Sequence, residues 1–196
     1  MDDTRRAVVL ALAATIILSI AFSSVFVYYP ITAQISPVET PVKLGYGSNA
    51  GRPDLSNTIS VTIGSNNASA TITIHPTYQV SYYRNITIIK NTDSKAYKVM
   101  LNVSSTMNGL PANSKAKLYV FAKGHARGFS GWPIENLEPA LGNYITSLDL
   151  TTTSTTSEFD LTAGAIVEID ILIYIPEGTS PPSSATANIY LRYTPS

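Results

Sequence analysis

The side chains able to do chemistry are few and scattered. The chain has two histidines and no cysteine. His75 precedes Pro76 at the end of an alternating run, and His125 lies between Lys123 and Arg127. The two are not at metal-ligand spacing, and no thiolate is available to complete a zinc site. His75 therefore reads as a loop or edge residue. Glu168 and Asp170 stand two apart, so on a strand they share a face, as paired catalytic carboxylates would. A solvated face is the simpler reading; with loop carbonyls the pair would also offer the clustered oxygens that calcium prefers. Lys123-Gly124-His125-Ala126-Arg127 forms a small basic patch and reads as a solvated loop. No phosphate-cradling glycine loop, nucleotide fingerprint or Ser-His-Asp context is present. The expectation is a non-enzymatic protein with no cofactor and no resident metal.

Three N-glycosylation sequons occur, Asn67-Ala68-Ser69, Asn85-Ile86-Thr87 and Asn102-Val103-Ser104. With 12 Asn and 44 Ser plus Thr in 196 residues, about three arise by chance, so their number argues nothing. Their placement is more informative. Asn85 alternates against Ile86 and Ile88, and Asn102 against Leu101 and Val103, so both asparagines are expected to face solvent. Asn67 falls in a turn. All three are candidate acceptors.

The elements that must position these residues follow from the composition. Lys+Arg and Asp+Glu balance at 13 each, which leaves no basic footprint for nucleic acid. Charged residues make up 13% of the chain, against about 25% in ordinary soluble domains. Its surface must be covered by Ser, Thr, Asn and Tyr, and such a surface repels copies of itself weakly. Without cysteine, no disulfide can hold the fold.

At the N-terminus, Arg5-Arg6 precede an uncharged apolar run from Ala7 to Val27. A run of about 20 apolar residues is long enough to span a bilayer as a helix, and here it reads as an export signal. Pro30 ends the helix, since it lacks an N–H and clashes with the preceding turn. Three fates are open. Cleavage after Ala33 leaves a secreted domain beginning at Gln34; no cleavage leaves a signal anchor; cleavage between Ala7 and Val8 leaves a type IV-like pilin that keeps its helix. The first gives the expected organisation: residues 1–33 as signal helix, 34–44 as an extended arm, and 45–196 as one domain.

That domain alternates with period two. Ile59, Val61 and Ile63 lead into the turn Gly64-Ser65-Asn66-Asn67, and Ala70, Ile72 and Ile74 follow, which predicts a hairpin. Tyr78–Lys90 continues with Ile86 and Ile88 inward, then Tyr97, Val99, Leu101 and Val103, then Ala116, Leu118, Val120 and Ala122. Between Lys123 and Asn143 the alternation stops, in a long excursion holding the only tryptophan, Trp132. Strands resume near 144–150 and 158–161. Val167, Ile169, Ile171, Ile173 and Ile175 form the longest alternation, and Ala187, Ile189, Leu191 and Tyr193 the last. About eight or nine strands with turn punctuation predict an all-β fold, a jelly-roll-like β-sandwich.

The stretch from Tyr82 to Val103, with Asn91-Thr92-Asp93-Ser94 at its centre, resembles the strand–turn–strand of TasA-type biofilm fibre subunits and of the archaeal bundling pilins similar to them. Leader, short proline-containing arm and β body occur in that family's order. The resemblance implies a secreted, extracellular homopolymer, a cell-surface filament whose subunits join head to tail as each arm completes a neighbour's sheet. Its partners would be copies of itself, with lateral bundling between filaments and membrane contact only through the unprocessed helix. The donor strand would then comprise Ile35, Val38, Thr40, Val42 and Leu44, of which the last four alternate onto one face, with Pro37 and Pro41 in the opposite phase. Two other classes stand beside it. One is the pilin that keeps its helix as filament core. The other is a monomeric carbohydrate-binding domain using Trp132 and Tyr78, Tyr82 and Tyr83 as a stacking platform, although those tyrosines are more simply cross-strand partners.

Overall fold

Ten residues from Ile166 to Ile175, eight of them Ile, Val, Leu or Tyr, form a β-favouring run with no turn residue to interrupt it. In a computed structural model, which describes residues 2–21, 32–34, 39–128, 141–180 and 184–196, this run is β11, the centre of the body. Its neighbours are β6 (Gln79–Asn91) and β8 (Lys115–Ala122), with β1 (Val42–Tyr46) and β9 (Thr146–Asp149) outside them. The five make an antiparallel sheet in the order β1-β6-β11-β8-β9. A second sheet has the order β10-β7-β12, built from Phe159–Leu161, Tyr97–Ser105 and Asn188–Pro195. Two short pairs complete the body, β2 (Pro53–Asp54) with β3 (Asn57–Thr58), and the predicted hairpin β4 (Ser60–Ile63) with β5 (Ala70–Thr73).

The two larger sheets share one core. Ile86, Ile89, Val167, Ile169, Ile171 and Ile173 from the first pack in the same cluster as Val99, Leu101, Val103, Phe159 and Leu161 from the second. The expected inward phases of β7 and β11 are those observed. Antiparallel β-strands make up most of the structure, so the all-β expectation holds. The chain divides into two compact units, Met1–Pro37 and Val38–Ser196. The first contains α1 (Asp3–Ala21), with Asp3 in the first turn, where a carboxylate favours the positive end of the helix dipole. Among the described residues no helix is long and apolar enough to cross a membrane. The rest of the apolar run, with Pro30, lies outside the described residues.

Two expectations need correction. Ile88 does not face the core; Ile89 does, at 1% exposure, while Ile88 is half-buried. Tyr83, Thr87 and Ile89 share the inward phase of β6, opposite Ile171, Ile169 and Val167, and Ile88 pairs with Glu168 on the other face. Ile86 reaches the core only because a β-bulge turns it there. Ile169 pairs with Thr87 and Ile171 with Tyr83, so Arg84, Asn85 and Ile86 oppose Asp170 alone. Asn85 takes φ 42 there, a left-handed conformation that Asn tolerates better than most residues, and with two extra residues inserted the strand keeps its phase across the bulge. The second correction concerns the arm. Val42 and Leu44 lie in their own body: β1 pairs with β6 of its own chain from Val42↔Asn91 to Tyr46↔Thr87. Val42 is buried and Leu44 packs against the core. Thr40 Oγ1 lies 2.9 Å from the Tyr193 hydroxyl and donates to the Val42 carbonyl at 2.9 Å. Three of the five donor-strand residues thus belong to their own subunit, because Val42 and Leu44 meet an apolar face beside β6. Ile35 and Val38 lie outside the described residues.

β12 is an end strand, and its inward row Ile189, Leu191 and Tyr193 is only half-buried. Truncating a buried isoleucine leaves a cavity and costs about 2–5 kcal/mol, and less where solvent already reaches the side chain. Denaturant titration should therefore show Ile169→Ala losing at least about twice as much stability as Ile189→Ala. Equal losses would mean β12 is covered in the isolated subunit.

Candidate functional site

The outer face of β11 carries Glu168, Asp170, Leu172 and Tyr174. Leu172, at 1% exposure, packs there with Tyr119 and Phe121 of β8 and Leu141 of the excursion in a second buried cluster. The first sheet is therefore buried on both sides at its centre. Two carboxylates in such a place require partners, since an unpaired buried charge is costly. They have one: Arg127.

The Arg127 side chain is fully buried, as is Asp170. Its Nε donates to Asp170 Oδ2 at 2.8 Å and its Nη2 to Asp170 Oδ1 at 2.9 Å, a bidentate pairing. Nη1 donates to the His125 carbonyl and lies 2.8 Å from Glu168 Oε2. That last contact is a buried ion pair. Glu168 Oε1 accepts the Gly124 N–H at 3.0 Å. The guanidinium also lies 4.1 Å from the centre of the Phe121 ring, and His125 stacks on the same ring at 5.6 Å. Asp170 takes two further donors, the Tyr82 hydroxyl and the Asn85 N–H at 2.7 Å. The second is an N–H of the bulge in β6. One carboxylate therefore closes the bulge, anchors the excursion and orders a phenol.

Burial pulls the Arg127 pKa down, but hydrogen bonds and charge from Asp170 and then Glu168 outweigh it, and the net shift is upward. Burial, followed by the bond to Asp170, pushes the Tyr82 phenol far above its ordinary value. The loop after β1 seals the other side of the bulge. Asn49 N–H donates to the Asn85 carbonyl at 3.1 Å, Asn49 Nδ2 to the Arg84 carbonyl at 2.7 Å, and Gly47 N–H to the Ile86 carbonyl at 3.2 Å. A Cβ on Gly47 would sit 2.1 Å from the Asn85 carbonyl oxygen, so only glycine fits.

These contacts overturn the reading of Glu168 and Asp170 as a solvated face, and that of residues 123–127 as a solvated loop. Lys123 is exposed, but Arg127 enters the sheet. The guanidinium also sits where a calcium ion bridging the two carboxylates would have to lie. Among the described residues no three of His, Cys, Asp and Glu are grouped to hold a metal. The arrangement is a structural clasp.

His75 belongs to a smaller cluster. Its N–H and its Nδ1 lie 2.6 and 3.0 Å from Asp54 Oδ2, and Tyr83 OH donates to Asp54 Oδ1 at 3.3 Å. Asp54 is buried, so this ties the β2–β3 pair to the end of β5. Burial, then the Asp54 charge, raises the Tyr83 pKa. Tyr82 and Tyr83 thus point their hydroxyls at carboxylates, and exposed Tyr78 donates to the Thr179 carbonyl at 2.7 Å. They form no common stacking platform, and Trp132 lies outside the described residues. Ala33 and Gln34 are exposed and lie in no helix or strand.

The sequons separate. Asn67 is exposed. Asn85 does not face solvent as expected: it is half-buried at the bulge, with its Oδ1 enclosed and unbonded. Asn102 is half-buried too, and its Nδ2 donates to Thr155 Oγ1 and at 3.5 Å to the Ser154 carbonyl. Residues 154–156 flank β7 on that side, with Thr155 bridged to Asn102. No known family model matches the chain, and no curated protein matches it.

Removing Arg127 would strand two buried carboxylates, which typically costs about 3–5 kcal/mol. Arg127→Met should therefore destabilise more than Glu168→Gln when unfolding is followed in urea. A loss under about 1 kcal/mol would show that the clasp is solvated. Alkaline pH supplies an independent check. A phenol whose pKa is raised on folding stabilises the fold below the ordinary tyrosine value of 10.0 and loses that contribution as pH rises past it. Stability should decline above about pH 10, and Tyr82→Phe should make that decline shallower. An unchanged pH slope would count against it.

Proposed function

We propose that this chain is a structural subunit of an extracellular filament. Its body would be a jelly-roll-like β-sandwich, joined to its neighbours through the segment before β1. The observation that carries the reading is the outer side of the second sheet, which no strand covers among the described residues. β12 ends that sheet of three strands, opposite a sheet of five, with a half-buried apolar row along it. An end strand offers unpaired backbone groups as a template for an incoming strand. An added strand would pair with those groups and cover Ile189, Leu191 and Tyr193, which is β-augmentation.

The donor is shorter than its sequence suggests. With Thr40, Val42 and Leu44 held in their own body, Ile35 and Val38 remain, and burying each contributes about 1.5–3 kcal/mol before ordering costs. The acceptor row and the ladder add to that. The low charge of the chain favours close packing of copies.

One observation favours a second reading. Val8, Val9, Leu10 and Leu12 of α1 are 54–69% exposed, and such apolar surface needs cover. In a pilin that keeps its helix, neighbouring helices supply it.

Intact mass of subunits from the cell surface separates the two modes. The strand-joined filament should begin at Gln34, whereas a subunit beginning at Val8 would establish the helix-cored form. Deleting residues 35–39 while keeping Thr40–Tyr46 should yield secreted, folded monomers. Filaments of normal length from that variant would sink the strand-joined mode.

A further inference from the structure

We infer that Asn67, alone among the three sequon asparagines, carries an N-linked glycan on the folded subunit. This rests on the reading of the chain as exported. Asn67 lies at the tip of the β4–β5 hairpin, with φ 57. Gly64 N–H donates to the Ser69 carbonyl, and Asn67 N–H to the Gly64 carbonyl, each at 2.9 Å. Asn67, Ala68 and Ser69 are all exposed, so the whole sequon is open to an enzyme. The side chain that braces the turn is its neighbour's: Asn66 Oδ1 accepts the Ala68 N–H at 3.1 Å. The Asn67 carboxamide is thereby left free to react.

The other two asparagines are committed to the fold. The Asn85 side chain is wedged at the bulge beneath residues 47–49, with its oxygen enclosed. A sugar there would push against the loop in which Gly47 already leaves no room for a Cβ. The Asn102 nitrogen that would receive the sugar already donates to Thr155 and Ser154. Glycosylation at either site would displace a neighbouring segment, so a subunit modified there would not reach this fold.

The transfer itself is conventional. The Asn67 nitrogen bonds to the anomeric carbon of a saccharide carried on a lipid phosphate or diphosphate. The bond from that carbon to the phosphate oxygen breaks, the lipid phosphate leaves with the electron pair, and the nitrogen gives up one proton. The position has a use. The Asn67 carbonyl accepts the Leu44 N–H at 2.8 Å, on the outer edge of β1, so a glycan beside it would guard that end strand against pairing with another chain.

Site mapping by mass spectrometry on subunits from the surface of the cells that make them is the test. A saccharide is expected on the Asn67 peptide, with Asn85 and Asn102 unmodified, and Asn67→Gln should remove the whole glycan mass. An unmodified Asn67 on an extracellular subunit would overturn the inference and leave the filament reading standing, as would a glycan on Asn85 or Asn102. A chain found only inside the cell would overturn both. Mapping the unaltered chain needs no variant, so a misfolded substitution cannot obscure the answer.

Discussion

The Asp170 carboxylate holds together parts of the chain that sequence keeps far apart. It accepts from the Arg127 guanidinium, the Tyr82 hydroxyl and the Asn85 N–H. A β-bulge leaves an N–H without a ladder partner, and a buried orphan of that kind destabilises. Here the orphan is turned toward a carboxylate that is already buried. The bulge in turn inserts two residues into β6, so that Ile86 reaches the core in addition to Tyr83 and Ile89, which keep one phase across it.

Arg127 is what makes that carboxylate tolerable. The excursion after β8 brings in one guanidinium against two carboxylates, leaving the cluster one negative charge in excess. The Gly124 N–H at Glu168, and the Tyr82 and Asn85 donors at Asp170, offset that excess. Buried ion pairs of this type are seldom more stabilising than apolar replacements. Their value lies in geometry: the bidentate fork fixes where the excursion enters the sheet. At the far end of the same segment, a Cβ on Gly142 would lie 3.1 Å from His125 Nε2, so the two described ends meet. They meet beside the outer face of β8 and β11, where Leu141 packs with Tyr119, Phe121 and Leu172.

Much of the β framework was legible in the sequence. The hairpin at Gly64–Ser69, the phases of β7 and β11, and the in-phase row of β12 all follow from alternation alone. Alternation reports which residues share a face, and it does not report whether a face is wet. For that reason Glu168 and Asp170 were placed on the correct side of β11 but in the wrong environment. Leu172, in the same phase as the carboxylates, was the available signal that the outer face is covered. The bulge was hidden because it depends on a side chain from another strand, and Arg127 was hidden because it lies in an irregular stretch without periodicity. The arm misled for a related reason. Val42 and Leu44 alternate equally well for a neighbour's sheet and for their own, and only the presence of β6 beside them decides between the two.

The position of β12 in the chain governs the order in which the molecule can be assembled. It pairs with β7 along its whole length, and beyond it Ser196 donates its N–H to the Ala96 carbonyl at 3.1 Å. Pairing between such distant segments is slow, because loop-closure entropy is lost before any contact compensates it. The second sheet also cannot close until synthesis has passed β12. Until then β7 has one flank bare and the shared core lacks one of its walls. Closure of the sandwich is therefore timed by β12, and a chain cut short before it would be left with an open core.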